Sequence, residues 1–228
     1  MKLISVLESN VGNKTNVYYS SERLKTVTKN YPIDAYIVNT VNGFSPLGIN
    51  IEFIAEDIAV SREEIARLAD MNRYNDKVVS LTAIPSKRND SILKGVILAA
   101  SEGAESYKKF ATPFQDKPYR DFYYNVTYES IAYCVKNWGA SNIAISHLSG
   151  SNNFHQDVAT CNAEALAHFC DLHPNLPIKS FTFLGCCMDI QHFKGIARLN
   201  KEGKISSHYK IPTTEKKEND YSIINLEI

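Results

Sequence analysis

The second half of the chain alternates segments of helical periodicity with short apolar segments, and this order constrains the fold more than any other feature. Residues 124–139 predict a helix, with Gly139 just past its end, and residues 142–148 predict a strand. Residues 158–173 predict a second helix, and residues 178–186 a further strand. Because parallel strands are joined by crossover helices, this alternation predicts a largely parallel sheet that is covered on both faces.

The first half of the chain adds further predicted elements. A helix is expected over residues 61–75, where Ser61 would cap the first turn and Glu64 would complete a capping box. Residues 17–29 do not favour one type of secondary structure. Strands are predicted at residues 2–8, 34–39, 77–84 and 94–101, loops at residues 10–16 and 111–121, and a hairpin around 195–211 with its turn at Asn200 to Gly203.

Composition excludes several classes of function. The chain has 228 residues, with 25 Lys and Arg against 25 Asp and Glu, so no strong field attracts nucleic acid or anionic lipid. No apolar run approaches the ~20 residues that a spanning helix needs. The N-terminal segment becomes polar too soon for a signal peptide. The five cysteines include no CxxC pattern. A soluble protein of the cytoplasm or another intracellular compartment is therefore expected.

The predicted strand at 34–39 leads into an unusual loop, NTVNGFSPLG, at residues 39–48. Asn39 and Asn42 each carry a donor and an acceptor, which suits ribose hydroxyls or a carbonyl group. Gly43 and Gly48 allow the backbone to approach a ligand closely. Because ligands of open parallel sheets bind at the carboxyl ends of the strands, this loop is a candidate binding site.

A second loop, HLSGSNNFHQD, follows the predicted strand at 142–148. Its small polar residues can turn several N–H groups toward one point, beside the helix expected to start near Val158, and such an arrangement suits a phosphate. Phe154 can stack on a sugar or a base. The same residue types are common in ordinary turns, so neither loop alone identifies a ligand. The residues assigned to phosphate binding are Ser149, Gly150, Ser151 and Asn152.

The segment DAYIVNTVN at 34–42 resembles the signature of macro domains, Asp-Ala-Ile-Val-Asn-Ala-Ala-Asn. The Val-Asn-x-x-Asn core matches at Val38, Asn39 and Asn42, and Tyr36 is one extra residue. Residues 128–169 are similar in order: a helix that ends in glycine, a strand, a glycine-containing loop with an aromatic residue, and a helix. Macro domains place their second phosphate loop at that position.

The resemblance implies a site for ADP-ribose. Asn42 would contact the distal ribose, and in hydrolytic members the equivalent asparagine helps orient the substrate. Asn39 would shape the loop. Gly43, Gly48 and the loop from Ser149 to Phe154 would cradle the diphosphate.

Three departures from the family pattern favour an alternative, a macro-like interaction module that does not bind nucleotides. The glycine run after the second asparagine is reduced to Ser45-Pro46-Leu47-Gly48, and Pro46 has no N–H for a phosphate. No second glycine follows Phe154. The Gly-Asp-Ile that usually holds the adenine is not visible near the start of the chain.

A third interpretation is a hydrolase that uses the histidines of the second loop. His147 is expected at the end of a strand, and His155 and Asp157 follow in the same loop. His155 could act as a general base with Asp157 beside it. The spacing matches no metal signature, so no metal is predicted.

Together these observations predict an α/β fold, a three-layer α/β/α sandwich with a mostly parallel mixed sheet. One macro-like domain would cover residues 1–228, with 188–228 as a C-terminal hairpin extension. The resemblance implies binding of ADP-ribose or a related nucleotide, with or without hydrolysis of an ADP-ribosyl or phosphate bond, and an ADP-ribosylated protein as a partner. No cofactor is predicted.

Overall fold

The computed structural model describes residues 1–22, 27, 29–40, 49–72, 79–101, 117–146, 155–176, 178–184, 201–202 and 209–210. Its strands are β1 (Lys2–Glu8), β2 (Lys14–Ser20), β3 (Ala35–Thr40), β4 (Val79–Pro85), β5 (Gly95–Ser101), β6 (Asn142–Ser146), β7 (Ser180–Leu184) and β8 (Tyr209–Lys210). Its helices are α1 (Ile49–Ile58), α2 (Arg62–Asn72), α3 (Lys117–Trp138) and α4 (His155–Leu172). Among the described residues, no helix combines the length and the apolar character needed to cross a membrane.

The strands form one mixed sheet in the order β4-β5-β3-β6-β7-β2-β1-β8. The five central strands, β5, β3, β6, β7 and β2, are parallel to one another. β4 and β1 flank them in antiparallel orientation. We call the edge at which the five parallel strands end the carboxyl edge, and the opposite edge the amino edge.

Two hydrophobic clusters cover the two faces of the sheet. On one face, Ala35 and Ile37 of β3 pack in a cluster with Val126 of α3 and Leu166 of α4. On the other face, the cluster includes Ile54 of α1 and side chains of α2. The sheet therefore lies between two helical layers, and the predicted three-layer sandwich with a mostly parallel mixed sheet is confirmed.

Strand β3 contains Tyr36, the residue that is additional to the macro-domain signature, and its side chains alternate between the two faces of the sheet. Ala35 and Ile37 face the α3 and α4 side, whereas Tyr36 and Val38 face the α1 and α2 side. Burial, together with the nearby Asp57 carboxylate, raises the pKa of the Tyr36 phenol. Tyr36 is therefore a neutral, buried side chain of the core.

Parts of two segments that were predicted as loops form a strand and a helix in the structure. Residues 14–16 belong to β2 rather than to a loop, because Lys14 and Asn16 are exposed while Thr15 points inward and donates to the Ile178 carbonyl oxygen at 2.6 Å. Because the outward-facing residues are polar, the sequence pattern did not indicate a strand here. Residues 117–121 begin α3, where Pro118 lies in the first turn, a position that proline tolerates. Helix α1 was not predicted.

Both predicted helix boundaries that rest on capping are confirmed. The Ser61 hydroxyl accepts the Glu64 N–H at 3.1 Å at the start of α2. Gly139 follows α3 with φ of 60°, and its N–H donates to the Val135 carbonyl oxygen. This single bond is that of an αL cap, and the Ala140 N–H in addition donates to the Cys134 carbonyl oxygen.

The C-terminal segment contributes to the sheet in its described part. Tyr209–Lys210 form β8, which pairs with Val6 and Leu7 of β1. Lys201 is helical, whereas the predicted hairpin placed a turn at Asn200 to Gly203. The remainder of residues 188–228 lies outside the described residues, so the extension stays a prediction there.

Candidate functional site

The two loops singled out in the sequence begin on adjacent parallel strands. β3 and β6 are neighbours, with Ile37 opposite Ile145, so residues 39–40 and Ser146 leave the sheet side by side. Neighbouring strands lie ~4.8 Å apart. Residues 41–48 connect β3 to α1, and residues 147–154 connect β6 to α4. Both loops therefore leave the carboxyl edge at one place.

Each of these loops leads into the N-terminus of a helix. α1 has 10 residues and begins at Ile49, and α4 has 18 residues and begins at His155. The first N–H groups of a helix have no partner within the helix, and the helix dipole places partial positive charge there. A helix start of this kind can bind an anion such as a diphosphate.

The structure places few of the predicted site residues individually. Asn39 lies in β3, with its backbone opposite Ala99 of β5. The residues outside the described part of the chain are Asn42, Gly43, Gly48, His147, Ser149, Gly150, Ser151, Asn152 and Phe154. Their roles remain predictions, although the positions where both loops begin and end are defined.

His155 and Asp157 lie in the first turn of α4, not in the loop that was predicted to contain them. The helix begins three residues before Val158, and Asp157 itself is favourable in a first turn because it complements the helix dipole. The pairing of His155 with Asp157 as a general base and its carboxylate stays a prediction. Among the described residues, no group of three or more His, Cys, Asp or Glu has an arrangement that could hold a metal ion.

Two other histidines have packing roles on the outer side of α3 and α4. The Tyr124 hydroxyl lies 3.0 Å from Nδ1 of His168, and the Tyr128 hydroxyl lies 3.2 Å from Nε2 of His173. Burial and, after it, the Lys136 charge lower the pKa of His173. These contacts join the two helices along their outer side.

Three cysteines of the helices belong to the interior of the protein. Cys134, Cys161 and Cys170 are buried, as expected for small apolar residues. Burial raises the pKa of the Cys170 thiol to about 11, with a smaller opposing effect from its contact with Thr15. A thiol in this state is a poor nucleophile.

Sequence reasoning missed a third segment at the carboxyl edge, residues 20–22 after β2. Ser20 lies opposite Leu184 of β7, which in turn lies opposite Ser146 of β6, so these three residues are level with one another. The buried Ser20 hydroxyl accepts the Glu22 N–H at 3.2 Å and turns the chain out of the strand. The signal was the polar Ser-Ser-Glu directly after the apolar Val-Tyr-Tyr.

These three segments define the length of the candidate site. From β3 to β2 the sheet crosses β6 and β7, which makes three strand spacings. At ~4.8 Å a spacing, the carboxyl edge between residues 41–48 and Glu22 is about 14 Å long. Such an edge accommodates an elongated ligand with a different group at each end.

Comparison with known proteins finds relatives by structure only. No protein-family model matches the sequence, and no curated protein matches it. An Oceanobacillus iheyensis macrodomain with ADP shares 14% identity and a TM-score of 0.57, over 89% of this chain and 100% of that chain. A Trypanosoma brucei macrodomain in complex with ADP shares 13% identity and a TM-score of 0.52, over 80% and 68% of the two chains.

A third similar structure is the macro domain of ganglioside induced differentiation associated protein 2, at 13% identity and a TM-score of 0.55, with 83% of each chain covered. Identity at this level carries no information about the ligand, but all three similarities extend over most of the present chain. The chain therefore has the macrodomain fold.

Proposed function

We propose that this protein binds ADP-ribose, or a closely related nucleotide diphosphate, along the carboxyl edge of its sheet. The observation that carries the proposal is the pairing of β3 with β6, since the connections to α1 and α4 begin at the neighbouring ends of these two strands. Each connection leads to a helix start, which can supply N–H donors for a diphosphate. Similar macrodomain structures contain ADP or ADP-ribose.

The proposed ligand lies along the edge with its diphosphate near residues 147–154. Asn42 and Asn39 are assigned to the distal ribose, and the nucleoside points toward Ser20 and Glu22. An edge of about 14 Å is matched by a two-ended nucleotide and is too long for a single phosphate or a mononucleotide. A protein modified with ADP-ribose presents the same group, which makes such proteins the proposed partners.

Calorimetric titration tests this proposal directly. ADP-ribose is titrated into the wild type, Asn42→Ala and Asn89→Ala; Asn89 is an exposed asparagine in the β4–β5 connection at the amino edge. We expect micromolar affinity for the wild type, about −8 kcal/mol. Asn42→Ala is expected to lose about tenfold or more, because a polar contact to the ribose disappears. Asn89→Ala should bind like the wild type.

AMP and inorganic phosphate, titrated in parallel, test the length of the site. Both should bind more weakly than ADP-ribose if the ligand spans the whole edge. A folded wild type that gives no heat with millimolar ADP-ribose would contradict the proposal. That result would favour the alternative suggested by Pro46, a macro-like interaction module without nucleotide binding.

A further inference from the structure

The first residue of the macro-like signature, Asp34, lies at the opposite end of β3 from the candidate site. It is 5% exposed, which is unusual for a carboxylate. One carboxylate oxygen accepts the Asn142 N–H at 2.8 Å, and the other accepts the Ser141 N–H at 3.0 Å. The Ser141 hydroxyl adds a longer contact at 3.4 Å. Two successive N–H groups at the start of β6 are thus matched to the two oxygens of one side chain.

The backbone of Asp34 extends this contact in both directions. Its N–H donates to the Asn142 carbonyl oxygen at 2.9 Å, and its carbonyl oxygen accepts the Lys94 N–H at 2.8 Å, just before β5. On the far side of β6, the Ser180 hydroxyl donates to the Asn142 side-chain oxygen at 2.9 Å. Asp34 therefore joins the amino ends of β5, β3 and β6, and through Asn142 it reaches β7.

This geometry selects one alignment of β3 against β6. A carboxylate only accepts hydrogen bonds, and here each oxygen faces one N–H of two consecutive residues. A shift of one residue would turn the side chains of β3 to the wrong faces and would separate these donors from their acceptor. The alignment in turn determines where Asn39 stands relative to Ser146, and those residues start the two candidate ligand loops.

We propose that Asp34 is a positioning residue for the ligand site: its carboxylate binds the start of β6 to β3 and thereby sets the offset between the ends of these two strands, from which the two candidate ligand loops begin. It acts at a distance, since Asn39 lies five residues further along the strand, or about 17 Å away. The link to ligand binding rests on the proposed function, whereas the contact of Asp34 with β6 rests on the hydrogen bonds alone.

The test compares Asp34→Asn with Thr15→Val. The first change replaces one carboxylate oxygen by an NH2 group, which then opposes the N–H group of Ser141 or Asn142, while the remaining amide oxygen can still accept from the other. The second removes a buried hydroxyl that donates to the Ile178 carbonyl oxygen at the same edge, between β2 and β7. Both leave a buried polar group unpaired, so their losses of stability should be similar. Asp34→Ser, which retains one acceptor, is the second variant if Asp34→Asn does not fold.

Hydrogen exchange and calorimetry are measured on folded protein at low temperature. In Asp34→Asn, amide hydrogen exchange should become about tenfold faster in the two strand segments, residues 35–40 and 142–146. The same increase is expected in the two loop segments, residues 41–48 and 147–154. In Thr15→Val, exchange in all four segments should be unchanged. ADP-ribose affinity should fall about tenfold in Asp34→Asn and less than about twofold in Thr15→Val. Asp34→Ser should lie between the wild type and Asp34→Asn in both readouts.

The outcomes separate the two proposals. If Asp34→Asn speeds exchange evenly over the whole protein, or binds ADP-ribose as tightly as the wild type, Asp34 contributes only stability and the inference is wrong. If the wild type itself does not bind ADP-ribose, the proposed function fails. In that case, only the hydrogen-exchange rates of the two loop segments test whether Asp34 positions them. Rates that are the same in Asp34→Asn and in the wild type would overturn the inference.

Discussion

The two edges of the sheet differ in how they are built. At the amino edge, side chains bind backbone groups directly: Asp34 holds Ser141 and Asn142, and Thr15 holds the Ile178 carbonyl oxygen. At the carboxyl edge, β3 and β6 end beside each other and pass into loops that lead to helix starts. One strand thus begins in a closed hydrogen-bonded network and ends in a candidate site. Most contacts of the amino edge can then be changed without changing ligand recognition, as in many α/β proteins, and Asp34 is the proposed exception.

The largest expected effect belongs to Gly95 at the amino edge. A Cβ at this position would lie 2.7 Å from the Ile84 carbonyl oxygen and from two ring carbons of Trp138. Gly95→Ala should therefore lower the free energy of unfolding by about 3 kcal/mol, because backbone and a packed indole must both move. Urea denaturation measures the loss.

The exposed Lys179 at the same edge provides the control, and Lys179→Ala should change stability by less than about 0.5 kcal/mol. The protein that remains folded in Gly95→Ala should keep its affinity for ADP-ribose. A large loss of affinity without loss of stability would show that Gly95, like Asp34, influences the ligand site.

The Cys170 thiol, which contacts Thr15 at the amino edge, should make the stability of the protein depend on alkaline pH. Its pKa rises from 9.0 to about 11 on folding, chiefly through burial. Because the folded thiol keeps its proton to a higher pH than the unfolded thiol, stability should decline as pH rises from about 9 to about 11. This rise of the Cys170 pKa corresponds to a loss of about 2–3 kcal/mol in the free energy of unfolding.

Urea denaturation between pH 8 and pH 11 measures this decline in the wild type and in Cys170→Ala. The variant should be less stable at pH 8, since a buried side chain is shortened, but its stability should fall less steeply with pH. Parallel pH profiles for the two proteins would show that the Cys170 thiol does not contribute.

The smallest effect is expected at the carboxyl edge, at Pro46. Proline has no N–H, so it removes one donor from the loop assigned to the diphosphate. Pro46→Ala restores that donor and should tighten ADP-ribose binding by about 1 kcal/mol, with little change in stability. Calorimetry with Pro85→Ala provides the control, because Pro85 is the last residue of the antiparallel strand β4 and lies at the amino edge, opposite Gly95. Weaker binding by Pro46→Ala would mean that the rigidity of proline matters more than the missing donor.

Local patterns in the sequence were sufficient for most of the architecture. The strand at 34–39, the helix capped by Ser61 and the helix ended by Gly139 were all predicted, because their signals lie within a few residues of each element. The starts of β2 and α3 were misread as loops. Thr15 and Pro118 are residues that occur in loops as well, and only their contacts or position distinguish the two cases.

Part of the candidate site was predicted because its signals also lie within a few residues of the strands that they follow. Asparagines and glycines after apolar strands mark loops at the carboxyl edge, so residues 39–48 and 147–154 could be selected without a structure. Residues 20–22 were missed, because Ser-Ser-Glu after an apolar segment indicates only that a strand ends there and does not reveal that β2 lies beside β7. His155 and Asp157 were assigned to a loop because the helix start was placed three residues too late.

The sequence by itself determined the alternation of strands and helices, the buried character of β3 and the residues that follow it, since each depends on neighbours along the chain. The tertiary structure decided the strand order, the adjacency of β3 and β6, and the role of Asp34. Those features depend on hydrogen bonds between residues more than a hundred positions apart, such as Asp34 and Asn142, and no local pattern encodes such a pairing.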